Sequence, residues 1–188
     1  MRYRSPIRLY RKRKGIFIMS EHKTWDEYIE CRKEVYRTVM PANLKNSLIS
    51  EANWFIRCKC TSADDLGVTV KEGDICYMDF GQAYLNEMGF QHFGLVMSLC
   101  RRKALVVPMT SNPVQYKHAY DPVENPRGRK HLMRIGQIEG LNKPSVLFLN
   151  DMKFVNTARV IDVKAHISTE SALFAQIQER LLHILLGR

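Results

Sequence analysis

Gly73-Asp74-Ile75-Cys76-Tyr77-Met78-Asp79-Phe80 is the stretch whose reading decides the fold. It follows a polar turn segment, Thr61-Ser62-Ala63-Asp64-Asp65-Leu66-Gly67, after which short apolar, β-branched runs dominate, so Asp74–Phe80 reads as a strand. Further strands are expected at Phe93–Leu99, Ala104–Thr110, His131–Ile135, Val146–Leu149 and Arg159–Ala165. That spacing suits a small, curled antiparallel sheet or barrel. The chain then turns helical, with Ser168 or Thr169 as cap and Leu173, Phe174, Ile177, Leu181, Ile184 and Leu185 as an apolar stripe ending before Gly187.

Upstream of the turn segment the period changes. Thr24-Trp25-Asp26-Glu27 has the form of a capping box, and Trp25, Tyr28, Ile29, Val35, Tyr36 and Val39 recur at helical spacing, which predicts a helix over about 24 to 39. Pro41 suits a first helical turn, and Leu44, Leu48, Ala52, Phe55 and Ile56 mark one face of a second helix, expected to pack against the main domain. The expected organisation is a basic tail over 1–18, a helical hairpin over 19–60, and a barrel domain with a closing helix over 61–188. There is no internal repeat.

The composition of the 188 residues is that of a folded chain: 45% hydrophobic, 26% charged and 10% aromatic. Collagen-like, low-complexity and wholly disordered classes are excluded. No apolar run approaches the roughly 20 residues that span a bilayer, so no membrane association and a cytoplasmic location are expected. The five cysteines, at 31, 58, 60, 76 and 100, are odd in number and lack framework spacing, so reduced thiols are the default. Cys58-Lys59-Cys60 is too tightly spaced for a zinc pair, and no Walker loop, dinucleotide glycine run, zinc-protease helix or nucleophile elbow occurs. No metal and no cofactor are expected.

Lys and Arg number 29 against 19 acids, for a formal charge of +10. Arg2, Arg4, Arg8, Arg11, Lys12, Arg13 and Lys14 lie in the first 18 residues without an acid, and setting them aside leaves +3. The tail reads either as a nucleic-acid-binding arm or as a solvated terminus. A third reading takes Lys14-Gly15 as a translated ribosome-binding site and Met19 as the natural start.

The connection Ser111–Lys130 has little periodicity, carries Pro113, Pro122 and Pro126, and is as long as loops that serve as lids or binding loops. Tyr116, Lys117, His118, Tyr120, Arg127 and Arg129 interleave aromatics with cations. That pattern suits single-stranded nucleic acid, whose bases stack while its phosphates meet the charges. A surface insertion is the alternative.

Three ordered blocks resemble the MazF/PemK (Kid) toxins of bacterial toxin–antitoxin systems. The first is Gly73–Phe80 with the following loop and the strand Gly94-Leu95-Val96-Met97-Ser98, and the second is Val106-Val107-Pro108-Met109-Thr110-Ser111. The third runs without a gap from Ser145 to Arg159. The resemblance covers about residue 72 to the C-terminus. It implies an α+β fold with an SH3-like small antiparallel barrel, here carrying an N-terminal helical hairpin and a C-terminal helix. It further implies a homodimer, a cognate antitoxin partner, and metal-independent cleavage of single-stranded RNA. Where the family commonly has an Arg-Pro pair after the first loop, His92-Phe93 stands here, and Asn150-Asp151 occupies the place of an acidic residue.

RNA cleaves through attack of its own 2′-hydroxyl on the adjacent phosphorus when it is given a base, an acid for the 5′-oxygen and stabilisation of the phosphorane. His92 is the expected acid or base, with Glu87 either orienting it or acting as the opposite partner. Thr110 and Ser111, by hydroxyl or by the following backbone N–H groups, are expected to hold the scissile phosphate. Positive charge comes either from His131 and Arg134 or from Lys153 and Arg159, and Tyr116, Arg127 and Arg129 are the further candidate RNA contacts. Each position also has a structural reading: a hydrogen-bonded histidine, an ordinary turn, an internal ion pair. The rival function is a catalytically silent binding module on the same fold, acting on RNA or on a protein target as CcdB-type gyrase poisons do. A third places the function in the hairpin and leaves the barrel as scaffold.

Overall fold

The computed structural model describes residues 24–38 and 43–187. The basic tail, Met19, Val39 and Pro41 lie outside the described residues. The chain divides into two compact units, Met1–Leu48 and Ile49–Arg188. In the first, α1 (Thr24–Thr38) carries Asp26 and Glu27 in its first turn and Arg37 in its last, the order the helix dipole favours. Trp25 is exposed on it, while Tyr28, Ile29, Val35 and Tyr36 are half-buried. Helix α2 (Leu44–Arg57) begins in this unit and ends in the second.

The second unit is built on eight strands: β1 (Asp74–Asp79), β2 (Gln91–Cys100), β3 (Lys103–Thr110), β4 (Ala119–Tyr120), β5 (Arg129–Gly136), β6 (Ser145–Phe148), β7 (Lys153–Asn156) and β8 (Val160–His166). Their order is β4-β5-β6-β3-β2-β1-β8, with β7 also paired to β3. All pairings are antiparallel except β4 with β5. The sheet curls but is not closed. The ends of β3 are divided between two partners, β7 on Lys103–Val106 and β6 on Met109–Thr110, because a 3₁₀ turn at Leu149–Asp151 bends the segment that carries both.

β1 is buried on both faces, which is why it reads as an unbroken apolar run. Ile75 joins Leu95, Val107, Met109 and Leu147 in a core covered by Phe174, Ile177 and Leu181 of the closing helix α4 (Ala172–Leu186). Cys76, Met78 and Phe80 face the other way, into a second core with Val96, Val106, Val155 and Val160. Each such fully buried side chain contributes roughly 1.5–3 kcal/mol. Gly94 sits where the strands crowd: a Cβ there would lie 2.4 Å from Cγ1 of Val106 and 3.1 Å from the Phe80 ring.

The closing helix starts later than expected. Ser171, not Ser168 or Thr169, caps it by accepting from the Phe174 amide at 3.2 Å, and Gly187 ends it at φ +64°. Leu185 of the expected stripe is exposed. The Ser111–Lys130 connection is more ordered than its proline content suggested, since it holds α3 (Pro113–His118), capped by Asn112, then β4 and a paired turn between Asp121 and Asn125.

The largest departure concerns α2. Ala52, Phe55 and Ile56 of the expected packing face are exposed, and Ser50, Asn53 and Arg57 face the sheet instead. The reason is chemical. What the helix meets is the Asp79 carboxylate and the carbonyls of Ala158 and Val160, which require donors.

Candidate active site

The β1–β2 connection is pinned at its base, where Phe80 donates to the Phe90 carbonyl and Phe90 to that of Gly81, each at 2.7 Å. Gly81 takes φ +85° without strain, whereas Phe90, at φ +58°, holds a conformation that bulky residues rarely adopt. That strained residue stands two positions before His92, which lies opposite Met78 in β2. The ring of His92 is half-buried, and its Nδ1 donates to the Gly89 carbonyl at 2.7 Å. A carbonyl only accepts, so this contact keeps the proton on Nδ1 and leaves Nε2 as the reactive nitrogen.

The loop is held from below by the third block. Asp151 accepts from the Met88 amide at 2.5 Å and pairs with Lys153 at 3.1 Å. Nζ of Lys153 also reaches the Met88 carbonyl at 3.4 Å and lies 5.6 Å from the centre of the Phe80 ring. Lys153 is therefore brought to the loop that carries Gly89. Glu87, expected to orient His92, instead accepts from the Tyr84 amide at 3.2 Å within an exposed turn, and the Gly89 carbonyl does the orienting.

Register brings the second block to the same end of the sheet. Phe93 pairs with Met109, so His92 and Thr110 each lie one residue beyond that last pair, at the same end of β2 and β3. The hydroxyl of Thr110 accepts from Asn112 N at 3.2 Å. Thr110 and Ser111 line a cavity of about 420 Å³ with Phe93, Lys143, Ser145 and Lys164. Lys164 is ion-paired with Asp162.

Arg134 is committed elsewhere. Its Nε donates to the Tyr116 carbonyl at 2.9 Å, its Nη1 pairs with Glu124 at 2.6 Å, and its guanidinium covers the Tyr116 ring at 4.8 Å. It ties down the 111–130 segment, and Tyr116 is its partner there. His131 is half-buried on β5, where burial first, then the Arg129 charge, lower its pKa below the usual 6.5. Arg127 and Arg129 are exposed. His92, Thr110 and Ser111 thus lie at one end of the sheet, with Lys153 reaching the loop beside them, while His131 and Arg134 are on β5 and Tyr116 is in the connection that Arg134 holds.

One buried group carries no signal that the sequence reading used. Asp79 accepts from Ser50 Oγ at 2.7 Å, Asn53 Nδ2 at 2.8 Å, Gln91 Nε2 at 2.7 Å and the Gly81 amide at 2.8 Å. Burial raises its pKa, and these hydrogen bonds more than offset that, so its carboxyl titrates below the usual Asp value. Asp79 neighbours the strand position of His92 and joins α2 to the base of the loop. Cys76 on the same strand is inert, its thiol pushed up to about 12 by burial, with the carboxylates of Asp74 and Asp162 adding to the shift.

No protein-family model matches the chain, and no curated protein matches it. Solved structures do. MazF from Deinococcus radiodurans (Form-I) is 16% identical over 64% of this chain and 99% of its own, with a TM-score of 0.45. The Mycobacterium tuberculosis toxin MazF-mt6 is 12% identical over 61% of this chain and 96% of its own, at 0.41. An endoribonuclease in complex with its cognate antitoxin from a mycobacterial species is 11% identical over 63% and 96%, at 0.42. Among the described residues no helix is long and apolar enough to cross a membrane. The chain itself has an α+β fold, with an N-terminal helical region, an open, mostly antiparallel sheet and a C-terminal helix.

Proposed function

We propose that this chain is a toxin-type endoribonuclease that cleaves single-stranded RNA without a metal, acts as a homodimer and is neutralised by a cognate antitoxin. The observation that carries the reading is the His92 ring, whose Nδ1 is held by the Gly89 carbonyl at the end of β2 where Phe93 pairs with Met109, the residue before Thr110. The three sequence blocks support it, since all converge on this end. We assign the base to Glu87 on the same loop: one carboxylate oxygen holds the Tyr84 amide, and the other takes the proton of the 2′-hydroxyl as the hydroxyl oxygen bonds to phosphorus. The P–O5′ bond breaks, and the His92 imidazolium delivers its Nε2 proton to the departing 5′-oxygen. Thr110, Ser111 and Lys153 stabilise the charge on the phosphorane. The products are a 2′,3′-cyclic phosphate and a 5′-hydroxyl, and proton exchange with water restores both groups.

The test is incubation of purified protein, free of antitoxin and with EDTA, on a long mixed-sequence RNA, with the product ends mapped. Cleavage at a short recurring sequence with cyclic-phosphate ends, lost in His92→Ala, is the expected result. No cleavage by folded protein overturns the reading in favour of a silent binding module.

A further inference from the structure

A second cavity, of about 410 Å³, lies between the end of α2, the end of β1 and the 3₁₀ turn Thr157–Arg159. Its size is in the range of pockets that take small organic ligands, roughly 300–1,000 Å³. Counting hydrogen bonds shows what it offers. The donors of Ser50 and Asn53 are turned onto Asp79, and Asn156 uses its amide on Thr61 O and its oxygen on Ala158 N. Two guanidiniums, of Arg57 and Arg159, supply the positive charge of the lining. Arg57 places Nη1 on the carbonyls of Ala158 and Val160 at 3.0 and 2.8 Å, and Arg159 places Nη1 on the Asp79 carbonyl at 3.1 Å. These backbone contacts fix both planar forks. Neither Arg has an ion pair among the described residues. No buried side-chain nitrogen there lacks a partner, so the remaining N–H groups of both are open to solvent. Trp54 stands at the cavity, 60% exposed.

We infer that this cavity binds a nucleotide unit, its phosphate held by Arg57 and Arg159 and its base stacked on Trp54. Pre-fixed guanidiniums with free donors match the oxygens of a phosphate, and an indole face takes any base. Glu51 also lines the cavity. The nucleotide belongs either to a free mononucleotide or to an RNA strand, and its recognition does not depend on the chemistry assigned to His92.

The chain has two tryptophans, so Trp25→Phe leaves Trp54 as the sole indole reporter. Adenosine monophosphate is titrated against its fluorescence beside adenosine, inorganic phosphate and a short 5′-phosphorylated oligodeoxyadenylate, which lacks the 2′-hydroxyl and survives cleavage. Saturable quenching by the monophosphate or the oligonucleotide, with adenosine weaker, is expected. A tighter oligonucleotide assigns the site to a strand, and equal affinities assign it to the free nucleotide. By calorimetry, Arg159→Gln and Trp54→Ala are each expected to weaken binding roughly tenfold. Trp54 is exposed, so Trp54→Ala decides the matter if thermal unfolding shows that Arg159→Gln has lost its fold. No saturable response from folded protein, adenosine binding as well as its monophosphate, or unchanged affinity in the folded variants overturns the site.

Discussion

Nδ1 of His92 lies 2.7 Å from the carbonyl oxygen of Gly89, a residue of the loop rather than of the sheet. The orientation of the candidate acid therefore depends on the loop's path. A Cβ on Gly89 would lie 2.7 Å from that of Ala83 and 3.2 Å from the Gly81 carbonyl, so Gly89→Ala must move the loop. Cleavage in this variant is expected to fall about 100-fold, because displacements near 1 Å have that effect. Unfolding is expected to be easier by only about 1–3 kcal/mol. Parallel RNA-cleavage and urea-denaturation measurements check this, and wild-type cleavage would remove Gly89 from the mechanism.

Asp79→Ala leaves four donors without their acceptor and is expected to destabilise the fold by about 3 kcal/mol. The pH dependence has a definite sign. The folded pKa lies below the unfolded value of about 3.9, so the contribution of Asp79 is complete above that value and is lost as pH falls through the folded one. Urea titrations from neutral to acid pH should show a shallower acid loss in Asp79→Asn than in wild type.

Asp151 fixes the far side of the same loop through the Met88 amide and Lys153. Asp151→Ala is expected to cost about 1–3 kcal/mol and to speed hydrogen exchange at Met88 well before the amides of β2. Uniform exchange across loop and strand would show that Asp151 does not hold the loop separately.

Arg134 stacks on Tyr116 and bonds its carbonyl with a side chain that is 12% exposed. Arg134→Ala is expected to expose 111–130 to limited proteolysis and to lower stability by about 1–3 kcal/mol, and Arg134→Lys to restore little, since an ammonium lacks the planar fork. Protease mapping and thermal unfolding read both. An intact segment with weakened RNA binding would return Arg134 to the RNA interface.

His131 has a folded pKa below its unfolded 6.5, so protonation favours the unfolded chain. Stability is expected to rise with pH from the folded value up to about 6.5 and then level off. His131→Gln should flatten that rise in a denaturation series.

The periodicity of the chain by itself determined the order and kind of its long elements. Apolar runs buried on two faces, such as Ile75–Met78, and the stripe Phe174, Ile177 and Leu181 read as they fold because apolar burial is a property of local spacing. β4 and β7 were missed: the first has two residues, and the second has only Phe154 and Val155 as apolar residues, whereas the equally short β6 carries the apolar run Val146–Phe148. The blocks around His92, Thr110 and Asp151 were legible as motifs. What only the tertiary structure decided is which polar groups meet. The partners of Asp79 lie 29 and 26 residues upstream at Ser50 and Asn53. The carbonyls met by Arg57 lie 101 and 103 residues downstream. Nothing in spacing marks such pairs, and an apolar face on α2 pointed the other way. A buried carboxylate must find donors wherever the chain brings them close, and that choice is made by packing.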